Sequence, residues 1–344
     1  MSASEPVVHL AFLPSAGMGH LNPCLRTAAL FLRYGCKVTL ITPKPTVSLA
    51  ESNHISRFCA SFPNQVTQID LNLIPLDPTT VNSDDPFWLQ FETIRRSVHL
   101  VAPILSSLTT PLSAFIYDVS LISPLLPVTE KLSCPSYIYF IAPARMFSFF
   151  AHLSVLAASN PGEHPSSFIG DVIKIPGIAS PIPRSSLKVV DREEEEVLED
   201  VLGSELMDKV KEKGMVVKDY VKQMEILGHP AVGGFVSHGG WNSIIEAVWE
   251  GVPILSWPQH GDQKIASEAV RTSGVGIWPE EWGWGAQDVV KGKEIANKIK
   301  EMMSNESLRV KAGKMKEAAR KAAGVGGSCE LIIKRQIEEW KRNA

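Results

Sequence analysis

Residues Tyr220 to Gln263 read YVKQMEILGHPAVGGFVSHGGWNSIIEAVWEGVPILSWPQHGDQ, and the middle of this stretch decides the fold. VGGFVSH is an apolar run of strand length that ends at His238. The pair Gly239-Gly240 interrupts it, and WNSIIEAV follows with apolar residues at helical spacing. Strand, glycine turn and helix make the opening of a βα unit. The free N–H groups and the dipole of such a helix start suit a phosphate, two glycines let it approach the backbone, and His238 adds a donor. Glu246 lies four residues after Asn242, one helical turn deeper on the same face, where a carboxylate accepts both hydroxyls of a ribose. Taken singly, Asn242 and Ser243 are ordinary first-turn residues and Glu246 an ordinary exposed acid, so spacing over the longer window carries the reading.

Working outward, MVVKDY, VPILSWP and VGIWP supply further strand-like runs around this unit. The tail from Lys291 is helical and mixed in charge, with Gly324, Gly326 and Gly327 marking a break before a last helix. Toward the N-terminus, VVHLAFLP, LNPCLRTAALFLRYG, KVTLITP, VTQIDL, SAFIYDV and SYIYFIA repeat the βαβ rhythm of a parallel sheet covered by helices. Residues 156–187 gather Pro, Gly and Ser without helical periodicity and predict a long loop closing a first domain. A charged helical stretch follows from Lys188, with Glu193 to Glu196 read as a solvated face. The expected division is 1–187, 188–330 and a terminal helix over 331–344.

A second chemical signal lies in PSAGMGHLNP. Gly17 and Gly19 permit a tight turn between the first strand and first helix, leaving His20 at the helix start, where ligands bind in a doubly wound sheet. A histidine there is suited to accept a proton at neutral pH; a capping or core histidine is the plainer alternative. Asp118 ends the strand in SAFIYDVS. Strand ends converge, so this carboxylate is placed to orient His20, although alone it reads as a helix N-cap. The turn is not a dinucleotide fingerprint: the third glycine is replaced by Asn22, and the second strand ends in Thr42 and Pro43 with no acid for a ribose. A nicotinamide enzyme is the weaker reading.

The 344 residues suffice for two domains, and 44% hydrophobic with 21% charged residues is a globular composition. A net charge of −3 provides no field for nucleic acid or acidic lipid. Five scattered cysteines without C-x-x-C read as reduced thiols, which argues against a zinc site or disulfide framework. The start MSASEPVVHLAFLP lacks the flank of a secretory leader, and Tyr137 to Leu153 is broken by Pro143 and Arg145 before it reaches membrane-spanning length. A cytoplasmic monomer is expected.

The 44-residue stretch Tyr220–Gln263 resembles the donor signature of plant family 1 UDP-glycosyltransferases. PSAGMGHLNP resembles the family's catalytic-histidine segment, and Asp118 falls where its aspartate partner is expected. The resemblance implies a GT-B fold: two Rossmann-like, doubly wound α/β domains facing a cleft, the first binding the acceptor, the second a UDP-sugar, with the last helix packing back on the first. It implies an inverting, metal-free reaction without a cofactor beyond the donor. By carry-over, Tyr220 stacks on uracil with Val221 beside it in the uridine site, Gln223 and Glu246 hold the ribose, and His238, Asn242 and Ser243 hold the pyrophosphate. Trp241, Asp262 and Gln263 contact the sugar, and glutamine at position 263 resembles the glucose-preferring members. SAGMGHL, FIYDVSL, ARMFSFFAHL and IPGIASPIPRSSL resemble plant C-glucosyltransferases acting on small phenolic flavonoid precursors, placing the chain in plant secondary metabolism.

Two departures stand out. The first signature position, usually tryptophan, is Tyr220, an aromatic face of smaller area. Family members have roughly 450 to 480 residues by resemblance, so the chain is short by about 105 to 135, a deficit of most of a domain. The sequence follows the family to Leu187 and resumes at Lys188 inside the second domain, without the first strands of that domain. Losing central strands of a parallel sheet exposes edges and helix faces, so the expected second domain is incomplete. A non-catalytic remnant that binds an aromatic acceptor or a partner is the alternative to an active enzyme.

Overall fold

The structure is a computed structural model that describes residues 7–77, 86–163, 167, 172–175, 182–183, 212, 214–217, 221–284 and 289–343. These fall into two compact units, Met1–Ile141 with Ala322–Ala344, and Ala142–Lys321. The expected boundary at Leu187 and the charged stretch after it lie outside the described residues.

The first unit runs β1 (His9–Leu13), α1 (Met18–Arg33), β2 (Lys37–Lys44), α2 (Leu49–Ser61), β3 (Val66–Asn72), α3 (Pro86–Ser97), α4 (Val101–Ser106), β4 (Ala114–Asp118), α5 (Ile122–Thr129) and β5 (Ser136–Tyr139). Its five strands are all parallel in the order β3-β2-β1-β4-β5. Every residue of β1 and β4 is buried, which requires cover on both faces of the sheet. The alternation of side chains supplies two cores. Leu10, Phe12, Leu40 and Ile116 pack under α1 and α2, whereas Ala11, Leu13, Phe115 and Tyr117 pack under α3, α4 and α5. Removing Phe12 to Ala from such a site costs about 3–5 kcal/mol. The final helix, Ser328–Asn343, closes the first core with Ile333, Ile337 and Trp340.

The register Leu13↔Tyr117 aligns the carboxyl ends of β1 and β4. The loops after these strands therefore leave the sheet side by side, which brings residues about a hundred positions apart to one end.

The second unit contains α6 (Ala144–Ser159), a two-stranded antiparallel pair of β6 (Val172–Ile173) and β7 (Ile182–Pro183), α7 (Gln223–Leu227), β8 (Phe235–Ser237), α8 (Trp241–Glu250), β9 (Ile254–Ser256), α9 (Gln263–Ser273), β10 (Gly276–Ile277), α10 (Gly292–Ser304) and α11 (Glu306–Ala323). Its main sheet is parallel with three described strands in the order β10-β9-β8. Ile244, Ala247, Ile254, Ala266 and Val270 form the core between that sheet and its helices. Residues 142–159 cluster with this unit because Phe149 of α6 packs on Ile173, Ile175 and Ile265.

Two segments differ from the sequence reading. MVVKDY was expected to be a strand, yet Met215, Val216 and Val217 are exposed and belong to no strand. An apolar run makes a strand by pairing its backbone with a neighbour, and these residues have no such partner among the described residues. The expected loop 156–187 begins inside α6 and carries the β6–β7 pair. No helix among the described residues is long and apolar enough to cross a membrane.

Candidate functional site

In the first unit, Gly17 makes the turn into α1. Its φ of 88° is a conformation that L side chains rarely adopt, and its carbonyl accepts the N–H groups of His20 and Leu21. His20 thereby sits in the first turn of α1. Its Nδ1 lies 2.8 Å from Oδ2 of Asp118, whose side chain is 1% exposed. The other carboxylate oxygen, Oδ1, accepts the Ser120 backbone N–H at 2.9 Å and the Ser120 hydroxyl at 2.6 Å. Asp118 is thus both a cap of the short helical turn after β4 and the partner of His20; the two alternatives describe one side chain. With Nδ1–H donating to the carboxylate, the basic lone pair of the imidazole is on Nε2.

Other polar groups sit around this pair. Tyr139 donates no proton at neutral pH by ionisation: burial pushes its hydroxyl up to about 12, and its oxygen accepts the Thr27 hydroxyl at 3.0 Å. Burial pushes the Cys24 thiol far up, with the Asp118 charge adding to it. Glu51 is 5% exposed and its carboxyl is pushed up by burial, opposed by backbone N–H groups of Val47 and Gly17 and by the His20 charge. Sequence reasoning missed Ser120 and Glu51. Ser48-x-x-Glu51 is a capping-box spacing that locates Glu51 at the α2 start, where Ser48 Oγ accepts the Glu51 N–H at 3.3 Å.

In the second unit, β8 delivers His238 to the start of α8. Gly240 is the cap of that helix and makes no side-chain capping bond. A Cβ at Gly240 would lie 2.3 Å from Nε2 of His238, so the imidazole lies directly against the helix N-terminus. Gly239 has φ of 80°, and a Cβ there would meet Ser256 Oγ at 2.5 Å. Trp241, Asn242 and Ser243 occupy the first turn of α8, all partly buried.

Gln223 and Glu246, the two residues assigned to the ribose by resemblance, lie in contact. Gln223 Nε2 donates to Glu246 Oε2 at 2.8 Å and to Ser243 Oγ at 3.2 Å, and Glu246 is 5% exposed. Val221 is exposed just before α7, and its carbonyl accepts the Gln223 N–H at 2.9 Å. Tyr220 lies outside the described residues. Asp262 caps α9 from its backbone, accepting the Ala266 N–H at 3.0 Å. Gln263 is buried, and its side-chain oxygen accepts the N–H groups of Gln259 at 2.8 Å and His260 at 3.0 Å. That carbonyl braces the loop between β9 and α9, leaving the amide nitrogen, 3.3 Å from His260 Nδ1, as the group able to meet a ligand.

The profile of the family described as UDP-glucoronosyl and UDP-glucosyl transferase matches residues 180–316. UDP-glycosyltransferase 708D1 of Glycine max is 56% identical over 477 aligned positions, covering 100% of this chain and 99% of the relative. UDP-glycosyltransferase 708G2 of Citrus unshiu is 39% identical over 97% of each. The crystal structure of LpCGTa in complex with UDP is 33% identical, covers 98% of this chain and 99% of its own, and superposes with a TM-score of 0.81. The first alignment spans 477 positions and this chain has 344 residues, so 133 or more positions face a gap in it, and the second Rossmann-like domain is incomplete. With His20 paired to Asp118 at the start of α1, His238 against the glycine turn into α8, and relatives matched from end to end, the chain belongs to the plant family 1 UDP-glycosyltransferases, enzymes of GT-B fold.

Proposed function

We propose that the chain carries the chemistry of an inverting glucosyltransferase that moves glucose from UDP-glucose to a small phenolic, flavonoid-type acceptor and forms a carbon–carbon bond. The observation that carries this reading is the 2.8 Å bond between His20 Nδ1 and the buried Asp118 carboxylate. His20 Nε2 removes the phenolic proton, and Asp118 stabilises the imidazolium that forms. The phenolate's neighbouring ring carbon attacks the anomeric carbon from the face opposite the diphosphate, and the bond to UDP breaks. The attacked carbon then loses its proton to water, which restores the ring as a phenolate, and that phenolate takes back the proton held by His20.

In this reading His238 and the N–H groups at the start of α8 take up the charge that develops on the departing diphosphate. Gln223 and Glu246 hold the ribose, and Trp241, Asp262 and the amide nitrogen of Gln263 meet the sugar. The UDP bound in the LpCGTa crystal structure supports a uridine diphosphate donor. The internal gap supports a second statement: with part of the donor domain missing after Leu187, UDP-glucose binding is weak and turnover slow. A chain with no donor affinity that still binds an acceptor is the reading this gap favours next.

Calorimetric titration of the purified 344-residue chain with UDP and with a dihydrochalcone tests both. Acceptor binding with weak but measurable UDP affinity, and an acid-resistant glucoside after long incubation with UDP-glucose, is the expected result. No acceptor binding overturns the reading, UDP binding below detection leaves the remnant, and rapid glucosylation overturns the weak-donor statement.

A further inference from the structure

Two contacts between a cation and a tryptophan run along α9. The Lys264 ammonium, in the first turn of the helix, lies 4.2 Å from the centre of the Trp284 ring. The Arg271 guanidinium, two helical turns further on, lies 5.4 Å from that of Trp278 and meets Glu280 at 3.7 Å. Both cations stand on one face of α9, and residues 278–284 are strapped along that face.

The same loop reaches the segment between β9 and α9. Trp282 packs on Trp257 with ring centroids 4.8 Å apart, and its indole N–H donates to Glu294 of α10 at 2.6 Å. Trp257 shortly precedes Gln259 and His260, whose N–H groups hold the Gln263 side-chain carbonyl. Residues 278–284 therefore grip the turn around Gln263 at two points, through Trp257 before it and through Lys264 after it.

Lys264 is badly placed by helix chemistry. A cation in the first turn opposes the helix dipole, and burying an ammonium costs free energy, yet Lys264 is only 8% exposed. An indole face attracts a cation most strongly where water is excluded, and Trp284 is 2% exposed. The contact thus fixes the orientation of the first turn of α9, and Gln263 is the neighbouring residue in that turn.

We propose that Lys264 is a positioning residue for the sugar end of the donor: held on Trp284, it sets the start of α9 so that Gln263 keeps its carbonyl on its own loop and turns its amide nitrogen to the glucose. The proposal rests on the donor reading above, and Lys264 acts through Gln263 rather than on the sugar itself.

Calorimetry of the full 344-residue chain with UDP and with UDP-glucose tests it. Lys264→Met keeps the length of the side chain and removes its charge. It is expected to raise the UDP-glucose Kd by about five-fold, the size of one hydrogen bond, and the UDP Kd by less than about two-fold. Lys264→Arg keeps a cation over the indole and is expected to return UDP-glucose affinity to within about two-fold of wild type. Trp284→Phe, which offers the cation a weaker ring, is expected to fall between them. Hydrogen exchange without ligand gives a second reading: the Gln259 and His260 amides exchange about five-fold faster in Lys264→Met, and those of α8 at the wild-type rate.

Equal weakening of both ligands, wild-type UDP-glucose affinity in Lys264→Met, or no rescue by arginine overturns the proposal. If Lys264→Met exchanges faster throughout α8, it has lost more than this contact, and Trp284→Phe is read in its place by the same criteria. If neither nucleotide binds the unsubstituted chain, the donor reading falls by itself. Exchange at Gln259 and His260 then decides whether Lys264 positions Gln263: faster exchange supports it, and wild-type rates overturn it.

Discussion

Trp340 donates its indole N–H to the hydroxyl of Tyr137 at 3.0 Å, and the two rings meet edge to face with centroids 5.6 Å apart. This contact, joined by Phe31 at 5.4 Å, fastens the final helix to the first core. Trp340 is 3% exposed, so Trp340→Ala is expected to lose about 3–5 kcal/mol of unfolding free energy. Trp340→Phe keeps most of the apolar contact and loses the hydrogen bond, a cost of about 1–2 kcal/mol. Denaturant titration of both variants checks the ranking, and equal losses contradict it.

Asp118 and Ser120 predict a graded loss of base function. Asp118→Asn keeps the shape and removes the charge that stabilises the imidazolium, so residual glucosylation should fall by about 10²–10⁴-fold. Ser120→Ala removes one of two bonds to Oδ1 and leaves the backbone N–H in place, a loss of about 3–10-fold. His20→Ala abolishes turnover while UDP binding stays near wild type. Radiolabelled transfer assays under single-turnover conditions measure all three, and a Ser120→Ala effect as large as that of Asp118→Asn contradicts the ordering.

Gly240→Ala tests the helix start in α8. A Cβ there collides with the His238 ring, which must swing away from the N-terminus. UDP affinity is expected to fall by about ten-fold or more, the worth of one charge-assisted hydrogen bond, while uridine affinity changes little. Comparing the two ligands by calorimetry separates loss of the phosphate contact from general unfolding.

Buried titratable groups set the pH limits of the first unit. Burial pushes the Cys36 thiol from 9.0 up to about 11, so above pH 9 the unfolded chain releases a proton that the folded chain keeps. The stabilisation is complete below pH 9 and is lost between 9 and about 11, with Tyr139 extending the loss toward pH 12. His9, lowered by burial and bonded through Nε2 to Thr39 Oγ1 at 2.8 Å, gives the acid limb: its contribution is present above pH 6.5 and lost as pH falls through its folded value. Unfolding midpoints from pH 4 to 11 should fall at both ends, and His9→Gln should flatten the acid limb. Alkylation at pH 8 should reach exposed Cys329 first and buried Cys24 and Cys36 only after unfolding, as read by peptide mass.

The alternation of short strand-like runs with helical periodicity was enough to find β1 to β5 and β8 to β10. β1 and β4 are apolar because they are buried along their whole length, whereas the edge strands β3 and β5 are largely exposed and were legible only as short runs of β-branched and aromatic residues between turns. The same one-dimensional pattern misjudged MVVKDY, since an apolar run cannot report whether a partner strand is present. It also assigned residues 142–159 to the first domain, whereas Phe149 packs with the second unit.

The sequence by itself determined the chemistry on offer: an imidazole at the start of α1, a glycine turn into α8, and the spacing of Asn242, Ser243 and Glu246. Tertiary structure decided which partners those groups have. His20 meets Asp118 across 98 positions because β1 and β4 pair in register, Gln223 meets Glu246 across 23, and Gln263 spends its carbonyl on its own loop. Local spacing fixes a residue's direction along one helix or strand, but the pairing of distant strands alone fixes which side chains lose water together, and hydrogen-bond chemistry follows from that shared burial.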